Sequence, residues 1–103
     1  MIRERDSSPW GQIQSVTEIV PGIAIVSTSS HGGIWLDPEH AARVPAEIVN
    51  KSFLEKANWW EEDCDWCIPF VIFEAEIMAY GDHQSRVLIE RGIHKEAFAK
   101  FKG

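Results

Sequence analysis

The sequence predicts an α+β domain, an N-terminal three-stranded antiparallel meander packed against C-terminal helices. Three observations carry this expectation. Before residue 37 the apolar residues fall in short runs between turn-formers, and Ile23-Ala24-Ile25-Val26-Ser27-Thr28 is the clearest β-branched run. After residue 37 the apolar spacing becomes helical, as in Val49 and Phe53, four apart. Strands first and helices afterwards is the order of an α+β domain, not of an alternating α/β sheet.

The elements follow in order. Residues 1–8 are polar and are expected to be flexible, which leaves residues 9–103 as a single domain. Ile13, Val16, Ile19 and Val20 mark a first strand within residues 12–20. Pro21-Gly22 is a turn pair, in which proline presets φ and glycine supplies a positive φ. The second strand covers residues 23–28. His31-Gly32-Gly33 reads as the next turn, its glycines again supplying positive φ, before a short third strand Ile34-Trp35-Leu36. Asp37 is a good N-cap and Pro38 a favoured first helical residue, and Val44-Pro45 should end that helix. A second helix is expected over residues 46–56. Asn58 reads as the cap of a long helix from Trp59 to Tyr80. Pro69 lies inside it and should kink it, because the carbonyl of Asp65 loses its donor. Gly81-Asp82 closes that helix, and Gly92 divides a terminal pair over residues 83–91 and 93–101.

At 103 residues the chain is one domain's worth, and 45% hydrophobic with 25% charged residues is ordinary for a folded protein. No apolar run approaches the ~20 residues of a spanning helix. The first residues carry mixed charge and no apolar stretch, so no secretion signal is read there. Two cysteines without such a signal suit a reducing compartment, and a soluble, cytoplasmic protein is expected. The net charge of −6 disfavours direct nucleic-acid binding. That acidity is local. No Lys or Arg lies between Lys56 and Arg86, a stretch that holds Glu61, Glu62, Asp63, Asp65, Glu74, Glu76 and Asp82, while the rest of the chain is close to neutral.

Two groups of residues have the composition of a catalytic site. Cys64-Asp65-Trp66-Cys67 is a C-x-x-C, the spacing of a redox pair or half a zinc site. The surrounding acids raise a thiol's pKa instead of activating it, and no second metal half follows. Reduced thiols, no metal and no cofactor are therefore expected, with both cysteines acting as small apolar residues. His31 stands at a glycine pair after four hydroxyl residues, Ser27 to Ser30, where it has the makings of an acid–base group. His31 and Cys64 are the candidate catalytic residues. For binding, Trp59, Glu61, Glu62, Asp65 and Trp66 combine carboxylates and aromatic rings in one short stretch.

Ser8-Pro9-Trp10-Gly11, Pro21-Gly22-Ile23, Val26-Ser27-Thr28, His31-Gly32-Gly33 and Trp60-Glu61-Glu62-Asp63-Cys64-Asp65-Trp66 together resemble an uncharacterised domain family of small bacterial phage, prophage and plasmid proteins. The similarity spans most of residues 8–92. In that pattern the position of Cys67 is usually a small apolar residue. The resemblance implies no activity and transfers no catalytic residue; it implies an accessory protein of a mobile element, at work in the cytoplasm of a bacterial host. The expected function is binding of a host protein with a basic surface, in the manner of a counter-defence inhibitor, anti-CRISPR-like or a nucleic-acid mimic. The alternative is a small hydrolase or transferase using His31 with nearby carboxylates or Cys64. The sequence leaves the oligomeric state open, a homodimer included.

Overall fold

The computed structural model describes residues 2–62 and 64–102. Strands β3 (Ser15–Val20), β4 (Ile23–Ser27) and β5 (Gly32–Leu36) form the expected antiparallel meander. Gly22 turns β3 into β4 at φ +93°, as its place after Pro21 predicts. A fourth strand, β6 (Trp59–Glu61), pairs with β5 through Gly33–Glu61, Ile34–Trp60 and Trp35–Trp59. The sheet order is β3-β4-β5-β6, antiparallel throughout.

Period-2 alternation divides the sheet into two faces. Ile23, Ile34, Leu36 and Trp60 point into the main core, where Ile68, Phe70, Phe73 and Ile77 of the helices meet them. Val26, Trp35 and Trp59 point the other way, against Ile13, Trp10 and Ile2. That second face is covered by a ribbon of β1 (Ser7–Ser8) and β2 (Gly11–Gln12). The amide of Arg5 donates to the carbonyl of Ile13 and the amide of Ile13 to that of Asp6, so residues read as a polar tail are hydrogen-bonded into a layer. Burial on both faces explains why β4 reads as a continuous apolar run.

The helices are α1 (Pro38–Ala42), α2 (Ala46–Lys51), α3 (Cys67–Ile72), α4 (Glu74–Tyr80), α5 (His83–Glu90) and α6 (Ile93–Lys102). Asp37 caps α1, its side chain accepting from the His40 amide at 2.9 Å, and Asp82 caps α5. Gly92 at φ +76° separates α5 from α6. No helix among the described residues is long and apolar enough to cross a membrane.

The single helix expected from Trp59 to Tyr80 is not formed. Its first residues are β6, its middle is a turn, and its remainder is two helices. Asn58 is not a helix cap; its carbonyl accepts from the Leu36 amide and leads the chain into the sheet. Pro69 causes no kink, because it is the third residue of α3 and its missing N–H falls in the first turn, where none is needed. The Asp65 carbonyl accepts from the Ile68 amide at 3.0 Å instead. The break comes at Phe73, at φ −103° and ψ 23°. The second helix is also shorter than expected and ends at Lys51.

The glycines after His31 differ in role from the expectation. They lie inside β5, and neither has a positive φ. The turn is Thr28 to His31. Gly33 is needed for space: a Cβ there would run into the Trp60 carbonyl and reach within 2.6 Å of the Trp10 ring. Glycine lets Trp10 lie on the sheet.

Candidate functional site

The turn between β6 and α3 is organised by one buried carboxylate. Asp65 is only 3% exposed, and its oxygens accept from the amides of Phe53 (2.7 Å) and Glu61 (2.9 Å). It ties the end of α2 to the end of β6. Burial pushes its carboxyl above the usual range, against the two amide bonds that favour the charged form. The Glu61 carbonyl accepts from the amides of Cys64, Asp65 and Trp66, which closes the turn.

Beyond this turn, Cys64, Trp66 and Cys67 face Leu88 of α5 and Ile93, His94 and Ala97 of α6 across a cavity of about 270 Å³. His94 is 5% exposed. Its ring stacks on Phe70 at 4.1 Å with the planes 3° apart, and Trp66 meets it edge-on at 6.0 Å. Its Nε2 is buried without a hydrogen-bond partner. Burial holds the imidazole below its ordinary value near 6.5, so it is neutral at pH 7. Cys67 is buried, and burial, followed by the nearby charge of Asp65, pushes its thiol up. Cys64 is exposed, and neither cysteine is in a disulfide. Among the described residues, no three His, Cys, Asp or Glu side chains converge as a metal ion would require.

His40 is the other buried histidine, and it is surrounded by charge. Its Nδ1 donates to Asp37 Oδ1 at 2.7 Å and its Nε2 to Glu76 Oε2 at 3.0 Å. Arg43 approaches Glu76 at 3.5 Å and covers the Phe73 ring. Burial alone would lower the His40 pKa, but the bonds and charges of Glu76 and Asp37 outweigh it and raise the value above 6.5. Asp37 shows the reciprocal effect: burial pushes it up, and the bonds from the His40 amide and ring bring it below its ordinary value. Gly22 packs against this pair, so the network fastens the β3–β4 turn to α1 and α4.

The sequence-derived candidates are dispersed. His31 is exposed; its amide donates to Thr28 Oγ1 and its carbonyl accepts from the Thr28 amide and hydroxyl. Glu62 is close by, since its amide donates to the Gly32 carbonyl. No hydrogen bond or ion pair joins the His31 side chain to Glu61, Glu62 or Asp65. The cavity beside Cys64 contains His94 and not His31. Of the binding candidates, Trp59 (8% exposed) belongs to the second core and Asp65 to the turn. Glu61 and Trp66 are half-buried, and Glu62 is exposed. Elsewhere in the acidic stretch, Glu74 pairs with Lys95 at 3.2 Å, Glu76 with His40 and Arg43, and Asp82 caps α5. Asp63 lies outside the described residues. His94 was not among the candidates. Its signal was its place with Phe98 and Phe101 on one apolar stripe, at i, i+4 and i+7.

These features define an α+β domain whose sheet is covered by helices on one face and an N-terminal ribbon on the other. The chain belongs to the family described as a domain of unknown function, DUF7007, which it matches over residues 3–103. No curated protein and no solved structure matches it.

Proposed function

We propose that this protein acts by binding another protein, through the surface where β6 runs into α3. The observation that supports this reading is the state of two acids. Glu61 and Glu62 form no ion pair among the described residues, whereas the other described acids of the same stretch are paired, capping or buried. Trp66, half-buried, stands in the same turn, its amide donating to the Glu61 carbonyl. Unpaired carboxylates next to an aromatic ring suit a partner with a basic surface: the charges speed encounter and the ring holds the complex. In its finer form the partner is a protein of a bacterial host, met in the cytoplasm, and the chain is a mobile-element accessory protein with a counter-defence role. The sequence motifs and the net charge of −6 support that setting.

The test is capture of partners from bacterial lysate, followed by kinetics on the captured protein. Reversing Glu61 and Glu62 to Lys should slow association about tenfold at low salt, with a smaller effect at high salt. Trp66→Ala should mainly speed dissociation. His31→Ala should leave binding unchanged. An affinity indifferent to the acid reversals and to Trp66→Ala would end this reading.

A further inference from the structure

The first residue of the described chain to hydrogen-bond the four-stranded sheet is Gln14, whose amide donates to the Ser27 carbonyl at 2.8 Å. Everything before it is bonded to itself. The Arg5 amide donates to the Ile13 carbonyl at 2.7 Å and the Ile13 amide to the Asp6 carbonyl at 2.9 Å. The Arg3 amide donates to Asp6 Oδ2, the Ser8 hydroxyl to the Gly11 carbonyl and the Trp10 amide to Ser8 Oγ. β1 pairs with β2 and with no strand of the larger sheet. Among the described residues, no hydrogen bond or ion pair joins residues 2–13 to the rest of the molecule. Apolar contact alone holds the ribbon down. Trp10 meets Trp59 edge-on at 5.6 Å and lies over Gly33, and Ile2 and Ile13 share that face with Val26 and Trp35. Closure also carries a cost, because the Trp10 indole Nε1 is buried without a partner that water would supply on opening.

We propose that residues 2–13 are a hinged strap, which lifts from the sheet as one unit about the Ile13–Gln14 junction while the sheet and helices stay folded. The division between strap and body follows the hydrogen bonds. Lifting the strap breaks none between the two, whereas opening the body breaks the β3–β4–β5–β6 ladders. The strap's own backbone bonds lie mostly at exposed residues, the pattern of a segment that opens below the global unfolding free energy. Once lifted, a two-stranded ribbon is marginal in water, so its internal bonds fray and its amides report the opening. Opening uncovers Val26, Trp35 and Trp59 with the side-chain-free backbone of Gly33. Gly33 pairs with Glu61, so the uncovered face extends to β6. The strap sets whether this aromatic sheet face meets solvent.

Native-state amide hydrogen exchange on the full chain tests the strap. The reporter of the body is the Leu36 amide, which donates to the Asn58 carbonyl at 3.0 Å in a fully buried residue. Arg5 and Ile13 should share one opening constant, at least ~100-fold larger than that of Leu36 and little changed by low denaturant. Ile13 is the critical residue, because it is 1% exposed yet belongs to the strap. A ribbon that frays only from its end would free Arg5 and leave Ile13 as protected as Leu36, which overturns the proposal. Ile77→Val, in the main core, should speed exchange at Leu36 about fivefold and leave Arg5 and Ile13 unchanged. Equal acceleration at all three would make the strap part of the global unit and overturn the proposal. Lifting is read separately by a thiol under the strap. Val26→Cys should react with a thiol reagent at the opening constant that Ile13 shows in the same variant. A thiol there as protected as the Leu36 amide would mean that the ribbon frays in place, against the proposal. If either variant does not fold, the Ile13-to-Leu36 comparison on the unaltered chain decides.

Discussion

His40 and His94 are equally buried, each 5% exposed, yet the fold treats them in opposite ways. His40 lies between the carboxylates of Asp37 and Glu76, whose bonds and charges outweigh burial and favour its imidazolium form. His94 lies between two aromatic rings, and burial favours its neutral form. Burial is the same; the neighbours differ. Depth therefore does not assign a histidine its role. His40 fastens a turn and two helices, whereas His94 leaves a buried polar atom without a partner beside a cavity.

The same substitution at the two sites separates them most sharply. His40→Phe leaves Asp37 and Glu76 facing an apolar ring and should cost about 2–4 kcal/mol in denaturant unfolding. His94→Phe keeps the stack on Phe70 and removes the unpartnered Nε2, so stability should change by less than ~1 kcal/mol. Equal losses would mean that the two environments are not distinct.

The pH dependence of stability should have two arms of opposite sign. The His40 pKa is raised on folding, so its contribution is complete below pH 6.5 and is lost as pH rises through the folded value. The His94 pKa is lowered on folding, so its contribution is present above 6.5 and is lost as pH falls through the folded value. Asp37 acts only further down, below its ordinary value of 3.8. Unfolding curves between pH 5 and 9 should show the alkaline loss disappear in His40→Phe and the mild-acid loss disappear in His94→Phe. Persistence of either arm in its own variant would assign it to another group.

The smallest expected effect is at the rim of the charged site. Arg43→Ala removes a half-exposed ion pair and a ring contact at 5.0 Å, and should cost about 0.5–1 kcal/mol. A loss as large as that of His40→Phe would make Arg43 the centre of the network.

Much of the fold was legible in the sequence because it is specified locally. The β-branched run of β4, the Pro21-Gly22 turn and the Asp37-Pro38 helix start each carry their own chemistry. The stretch from Asn58 to Phe73 was not legible, because long-range contacts decide it. Its acids and asparagine carry local helix signals, but Trp59 and Trp60 pair with Trp35 and Ile34, residues more than twenty positions earlier. A tryptophan pair fits a pleated surface well, and sheet pairing overrode helix propensity. Gly33 shows a half-legible case: its identity announced a constraint, but the constraint is the closeness of Trp60 and Trp10, not φ. Asp65 was read as surface charge because nothing in sequence reveals that two amides will close on it. The pairing of His40 with Glu76, thirty-six residues apart, is equally invisible before folding.

Long-range proton–nitrogen NMR of the imidazole rings at pH 6.5, the ordinary imidazole value, tests the contrast most directly, because it reports the protonation of each nitrogen. The two environments predict a His40 ring predominantly protonated on both nitrogens and a His94 ring predominantly protonated on one. A predominantly neutral His40, or a predominantly charged His94, at that pH would contradict the account.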